Sequence, residues 1–284
     1  MKNQLVLSLT AATLSVAALT ATTFAQDDDP KTALTADQIV TKGMIANYYA
    51  GKDGRSNVSM TIHDKQGRTR IRELIILRRD SVPEGEDVDD DAFHGDQKYY
   101  AYFRRPADVR KTVFMVWKHA AMDRDDDRWL YLPDLDLVKR IASSEERTSF
   151  VGTHFFYEDV SGRTAEEDEH ILEETTDNYF VLKHTPKEPD SVEFAYYRTW
   201  IHKDTFLVTQ TQYFDDQDDN YRTYSARKVE TIQGHPTVVE ARMTDKRIGG
   251  HTDAEYSNVE YDIGLPDDIF TERYLRRAPI KYLR

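Results

Sequence analysis

The sequence predicts a mainly β protein built on one long, curled antiparallel sheet, and three observations carry that prediction. From Asn57 onward, apolar residues recur almost wholly with period two. Turns rich in Gly, Pro, Asn and Asp separate the apolar runs at short intervals, as in successive hairpins. A convincing helical signature occurs once, near the N-terminus. Roughly ten to twelve strands follow one another in this way, and an antiparallel meander of that size has to curl. No internal repeat or Pro/Gly-rich linker interrupts it, so a single domain over 34–284 is expected.

Taken in order, residues 1–25 read as a cleavable secretory signal. Lys2 supplies the charged start, Leu5 to Ala21 is apolar and small, and Thr23-Phe24-Ala25 offers a small-x-small cleavage site. Residues 26–33 form an acidic leader expected to be disordered. Thr35 as N-cap and Gln38 three residues on make a capping box, with Leu34 and Ile39 as a hydrophobic staple. The helix they start presents Ile39, Val40, Met44 and Tyr48 on its apolar side and ends by Gly51. Val58, Met60 and Ile62 alternate in the first strand, which turns at Lys65-Gln66-Gly67 and returns from Arg68 to Arg79. The Asp- and Glu-rich segment from Ser81 to His94 is expected to be a solvated loop.

Strands follow at Lys98 to Arg104 and Thr112 to Lys118, separated by Arg105-Pro106-Ala107-Asp108. The strand opening at Arg128 is closed by Pro133-Asp134, and Leu137 to Ile141 is its return. Ser143 to Ser149 reads as a polar loop before the aromatic cluster Phe150, Phe155, Phe156 and Tyr157. Glu166 to Glu174 is an acidic stretch, and Tyr179 to His184 a short strand. Residues 192–201 and 206–214 form a hairpin over His202-Lys203-Asp204. Three more strands lie near 221–232, 236–247 and 254–263, and Pro266 starts a terminal turn with Phe270 and Tyr274.

The block from Arg128 to Val160 also carries a family resemblance. Trp129-x-Tyr131-x-Pro133, Lys139-Arg140-Ile141, Ser143-Ser144, Ser149-Phe150-x-Gly152 and Phe156-Tyr157-Glu158-Asp159 resemble the outer-membrane lipoprotein-sorting proteins. These are LolA-like periplasmic proteins often found beside resistance–nodulation–division (RND-type) transporters. Trp200, Tyr213 and Phe270-Thr271-x-Arg273 extend the likeness over most of the chain, while Thr153-His154 departs from the small polar pair expected after Gly152. The resemblance implies a half-open β-barrel with helices covering the concave face, the N-terminal helix across its mouth, and an apolar cavity within.

Composition narrows the function. The formal net charge of −13 argues against nonspecific nucleic-acid binding and against docking on anionic lipid surfaces. The chain has no cysteine, and so no disulfide, thiolate metal site, thiol nucleophile or acylated anchor. There is no Gly-x-Ser-x-Gly elbow, phosphate-cradling loop or His-Glu-x-x-His. Asp123, Asp125 and Asp127 are spaced like calcium ligands, but Arg128 stands where such a loop needs glycine. No catalytic residue, metal or cofactor is therefore expected.

What remains is binding. A buried methylene contributes about 0.8 kcal/mol, so a chain of about sixteen carbons supplies roughly 10 kcal/mol before binding entropy is subtracted. Strand alternation groups Val113, Met115 and Trp117, then Trp129 and Tyr131, with Phe150 and Phe156 from the loop and Phe194, Tyr196 and Trp200 across the sheet. These ten are the expected cavity lining, although alternation does not say which face is inside. The leading expectation is a periplasmic, monomeric carrier of a lipid or acylated protein. An accessory subunit docking on an RND-type transporter is second, and a periplasmic hydrolase third.

Overall fold

The computed structural model describes residues 34–81, 95–121 and 123–284. The signal, the acidic leader and most of the Ser81–His94 loop lie outside the described residues. Thirteen strands form one antiparallel sheet that curls without closing. They are β1 (Asp53–Asp64), β2 (Thr69–Asp80), β3 (Gln97–Arg105), β4 (Val113–Lys118), β5 (Asp127–Leu132), β6 (Leu137–Ile141), β7 (Asp168–Thr175), β8 (Tyr179–Pro186), β9 (Tyr196–His202), β10 (Val208–Phe214), β11 (Asn220–Ile232), β12 (His235–Asp245) and β13 (Gly250–Tyr261).

Their spatial order is β6-β5-β4-β3-β2-β1-β13-β12-β11-β10-β9-β8-β7. Two meanders are thus joined in the middle, where β1 pairs with β13, Met60 opposite Ala254. Consecutive strands β6 and β7 become the two free edges. The connection between them, residues 142–167, has to run from one edge of the curl to the other. Both edges carry charge, Lys139 and Arg140 on β6 and Glu169, Glu173 and Glu174 on β7, which discourages pairing with another chain.

Three segments cover the sheet. Helix α1 (Ala36–Tyr48) starts at the capping box: Thr35 Oγ1 accepts from the Gln38 amide, and Gln38 Oε1 accepts from the Thr35 amide at 2.9 Å. It lies on the concave side of the β7–β12 half, where Ile39 and Val40 pack with Leu182 and Ile201, and Leu34 staples the entry. The 142–167 connection is a strap, which includes the single turn α2 (Glu158–Ser161). It presses Phe150, Phe155 and Tyr157 into the concave side of β1–β4, against Val58, Leu74, Phe103, Phe114 and Val116. Within the expected polar loop Ser143, Ser144, Thr148 and Ser149 stay exposed, while Glu145, Glu146 and Arg147 pair with Lys139, Arg128 and Glu158.

The third cover is the C-terminal tail, including α3 (Glu272–Arg276), which folds over the convex side. Leu265, Ile269, Phe270, Leu275 and Leu283 bury Ile75, Leu77, Tyr100, Val113, Met115 and Trp129. Trp117 Nε1 donates to the Phe270 carbonyl at 2.6 Å, and the Tyr100 hydroxyl to that of Tyr274 at 2.7 Å. With the strap on one side and the tail on the other, β4 is dry on both faces. That is why Val113 to Trp117 is an unbroken apolar run.

Candidate functional site

A cavity of about 380 Å³ lies beneath α1, on the concave side. Its roof is Val40, Gly43, Met44, Ala46 and Tyr48. The walls come from β1–β3, β8–β13 and the strap, with Met60, Ile76, Ile201, Val208, Val238, Met243 and Val259 supplying apolar surface. Gly43 lets the helix approach the sheet: a Cβ there would stand 3.1 Å from Ile201 Cδ1.

None of the ten side chains expected to line a cavity lies on this wall. Val113, Met115, Trp117, Trp129 and Tyr131 share a face, as their alternation required, but it is the convex face under the tail. The concave partners in those strands are Phe114, Val116 and Leu130, which pack around the strap. In β9, Tyr196 and Trp200 are out of phase with Tyr197, Thr199 and Ile201, the residues that meet the cavity. Phe150 is fully buried in the core beside Phe103 and Phe114, with ring centroids 5.5 and 5.6 Å away. Phe156 and Phe194 sit under arginines, Arg222 being 3.8 Å from the first ring and Arg147 4.6 Å from the second. Trp117, Trp129 and Tyr131 were natural candidates for a lining, but the tail, whose docking face no local pattern announces, claims them.

Behind Asp159 and Arg163 on the cavity wall lies a buried ion-pair network, which sequence reasoning missed. Arg222 is completely buried; it donates to Asp159 of the strap and, at 3.2 Å, to the His154 carbonyl. Arg147 pairs with Glu158 and Glu193, and Arg163 with Asp168 at 3.0 Å and Glu167 at 2.6 Å. Lys118, reaching in from β4, donates to the carbonyls of Ser161 and Gly162 at 2.9 and 2.8 Å. Burial lowers its pKa. Glu145, Glu146, Glu158, Asp159 and Glu167 of the strap thus each meet a base from the sheet or from the strap itself, while Glu166 is exposed. A charged run in a sequence reads as surface, and only the fold brings these partners together.

His184 completes the wall near β7–β9, with His170 behind it. His170 Nε2 lies 2.9 Å from the Ala165 carbonyl and so donates, which leaves its Nδ1 to accept from His184 Nδ1–H at 2.8 Å. His184 Nε2, 2.7 Å from Thr199 Oγ1, then accepts from that hydroxyl. Burial, followed by the charge of His170, holds His184 well below the ordinary histidine pKa.

Among the described residues, one group has the donor set for a metal: His63, His251 and Asp253, on the outer face of β1 and β13. Its carboxylate is already held by Arg242 at 2.6 and 2.9 Å. Asp125 and Asp127 are likewise engaged, by Ser143 at 2.8 Å and by His119 at 3.2 Å. No described helix is long and apolar enough to cross a membrane.

Known proteins match this architecture. A family model described as "Uncharacterized protein"-like matches residues 95–277. No curated protein matches the chain. A solved structure of a DUF1329 family protein from Desulfovibrio piger is 28% identical, with a TM-score of 0.71 over 84% of this chain and 94% of that one. A putative outer membrane lipoprotein-sorting protein domain from Vibrio parahaemolyticus is 23% identical, with a TM-score of 0.71 over 84% and 97%. A LolA superfamily protein from Nitrosomonas europaea shares the fold at 18% identity, with a TM-score of 0.63 over 85% and 100%. The chain belongs to the family whose model it matches over residues 95–277, and its curled, unclosed sheet with covering segments is a LolA-like fold.

Proposed function

We propose that the protein is a periplasmic carrier that shields a lipid, or the acyl chain of a lipoprotein, on its way towards the outer membrane. The observation that carries this reading is the cavity of about 380 Å³ beneath α1, within the size range of small-molecule sites. Its apolar walls suit a hydrocarbon chain, and each methylene taken from water contributes about 0.8 kcal/mol. The export pattern at Lys2, Leu5 to Ala21 and Ala25 supports a periplasmic setting. The likeness to a lipoprotein-sorting domain points the same way.

Docking on an RND-type transporter is the second reading. It is favoured by Leu135 and Leu137, 70% and 45% exposed at the tip of the β5–β6 hairpin. The two readings are compatible, since cargo can be handed over at a dock.

The carrier reading is tested at Ala46, which faces the cavity from α1. Ala46→Phe occupies the space a chain would need. The expected result is at least a tenfold loss of affinity for a fluorescent acyl probe, with the melting temperature retained. A folded variant that binds the probe as tightly as the parent contradicts it.

A further inference from the structure

Four tyrosines face the cavity: Tyr48 from α1, Tyr213 from β10, Tyr224 from β11 and Tyr256 from β13. Other wall tyrosines spend their hydroxyls within the protein. That of Tyr197 donates to Asp168 at 2.7 Å, and that of Tyr99 to Gln97 at 2.8 Å. The hydroxyls of the four make no hydrogen bond among the described residues. Open to the cavity and unpartnered by the chain, the four hydroxyls together mark a place for polar groups from outside it.

Asp159 stands at the centre of this group. Burial first and the Asp159 carboxylate next hold Tyr213 and Tyr256 up at about 12 and raise Tyr48, while Tyr224 is raised by burial, then by Tyr256 and Tyr48, and least by Asp159. The hydroxyls therefore stay protonated, in a field that is negative. Asp159 Oδ2 is taken by the Phe156 amide and by Arg222, while Oδ1 makes no hydrogen bond among the described residues.

Among the described residues that line the wall no cation is free to offset that field, and Lys118, behind the Tyr48 ring, is taken by the Ser161 and Gly162 carbonyls. Arg78 donates to the carbonyls of Tyr48, Ala50 and Gly51, all at 2.6 Å, and to Asp80 at 3.0 Å. Arg163 is committed to Asp168, Glu167 and Glu158, and Arg55 to Glu260 at 2.8 Å. His184 is neutral and satisfied on both nitrogens. A phosphate or carboxylate placed here would face Asp159 with no positive partner of its own, which disfavours it strongly inside a cavity. A hydroxyl, ester or amide has no such cost: it accepts from the tyrosines and, where it carries a proton, donates to Asp159.

Resting on the carrier reading, we infer that the cargo is an uncharged amphiphile whose hydroxyl, ester or amide groups are buried against Tyr48, Tyr213, Tyr224, Tyr256 and Asp159. Free fatty acids and phospholipids are discriminated against by the same site.

The test is competition for the cavity by three lipids of one chain length: monolaurin, laurate and lauroyl lysophosphatidate. The expected order places monolaurin at least tenfold tighter than either anion at neutral pH. Tyr224→Phe and Tyr256→Phe, which keep the ring, should each weaken monolaurin by about two- to tenfold, one hydrogen bond's worth. Laurate binding should not change. An anion that binds as tightly as monolaurin overturns the inference and leaves the carrier reading intact. So does a preference for monolaurin that both phenylalanine variants retain in full. Failure of all three lipids to bind removes the carrier reading as well.

Discussion

At the scale of single residues, the strap is held by buried charges whose costs can be read individually. Glu146 approaches Arg128 at 2.7 Å, yet burial outweighs that partner and raises its carboxyl to about 7. Glu158, Glu167 and Asp126 add like charge around it. The folded value lies above the ordinary 4.5, so the neutral form suits the fold. Stability is complete below about 4.5 and declines as pH rises through about 7. Glu146→Gln, which cannot ionise, is expected to match the parent in denaturant melts at pH 5. At pH 8 it should be more stable by about 2 kcal/mol, allowing for partial solvent access. A parent more stable than the variant at pH 8 would mean that the Arg128 pair outweighs burial. None of this was legible in the sequence, where Ser143 to Ser149 has the composition of a solvated loop. The capping box at Thr35 and Gln38 was legible because both partners lie within one turn of the helix.

Among the elements, the C-terminal tail explains why the expected lining lies elsewhere. An apolar run such as Val113 to Trp117 announces burial but not direction, because both its faces are dry. Trp129 and Tyr131 were correctly grouped with Met115 and Val113, and Trp129 does stand opposite Met115. Which face is concave depends on strands far away in sequence. Strand β7 was hidden for the opposite reason: the apolar Ile171 points outward among glutamates, and the inward side is marked only by Asp168, His170 and Leu172. The convex placement changes what a Trp129 variant reports. Trp129 is 3% exposed, edge-on to Trp117 at 5.1 Å, and beneath the tail. Trp129→Ala should destabilise the protein by about 3–5 kcal/mol through the cavity it leaves. Folded at low temperature, it should retain the parent's lipid affinity. Loss of lipid binding in proportion to the truncation, with stability unchanged, would return Trp129 to the lining.

For the whole molecule, the topology accounts for the site. Joining two meanders at β1 and β13 leaves their last strands apart, so the curl stays open and a strap has to bridge it. The strap fills the β1–β4 half with Phe150, Phe155 and Tyr157, while α1 roofs the other half without filling it. The many-stranded curl was legible from period and turn spacing. The hollow was an implication of the family resemblance, since it depends on side chains that no local pattern brings together. The most direct measurement is mass spectrometry of an organic extract from protein purified without detergent. The account predicts a lipid at near-equimolar ratio in the parent and its loss in Ala46→Phe. An extract free of lipid from both, or lipid retained equally by the folded variant, would contradict it.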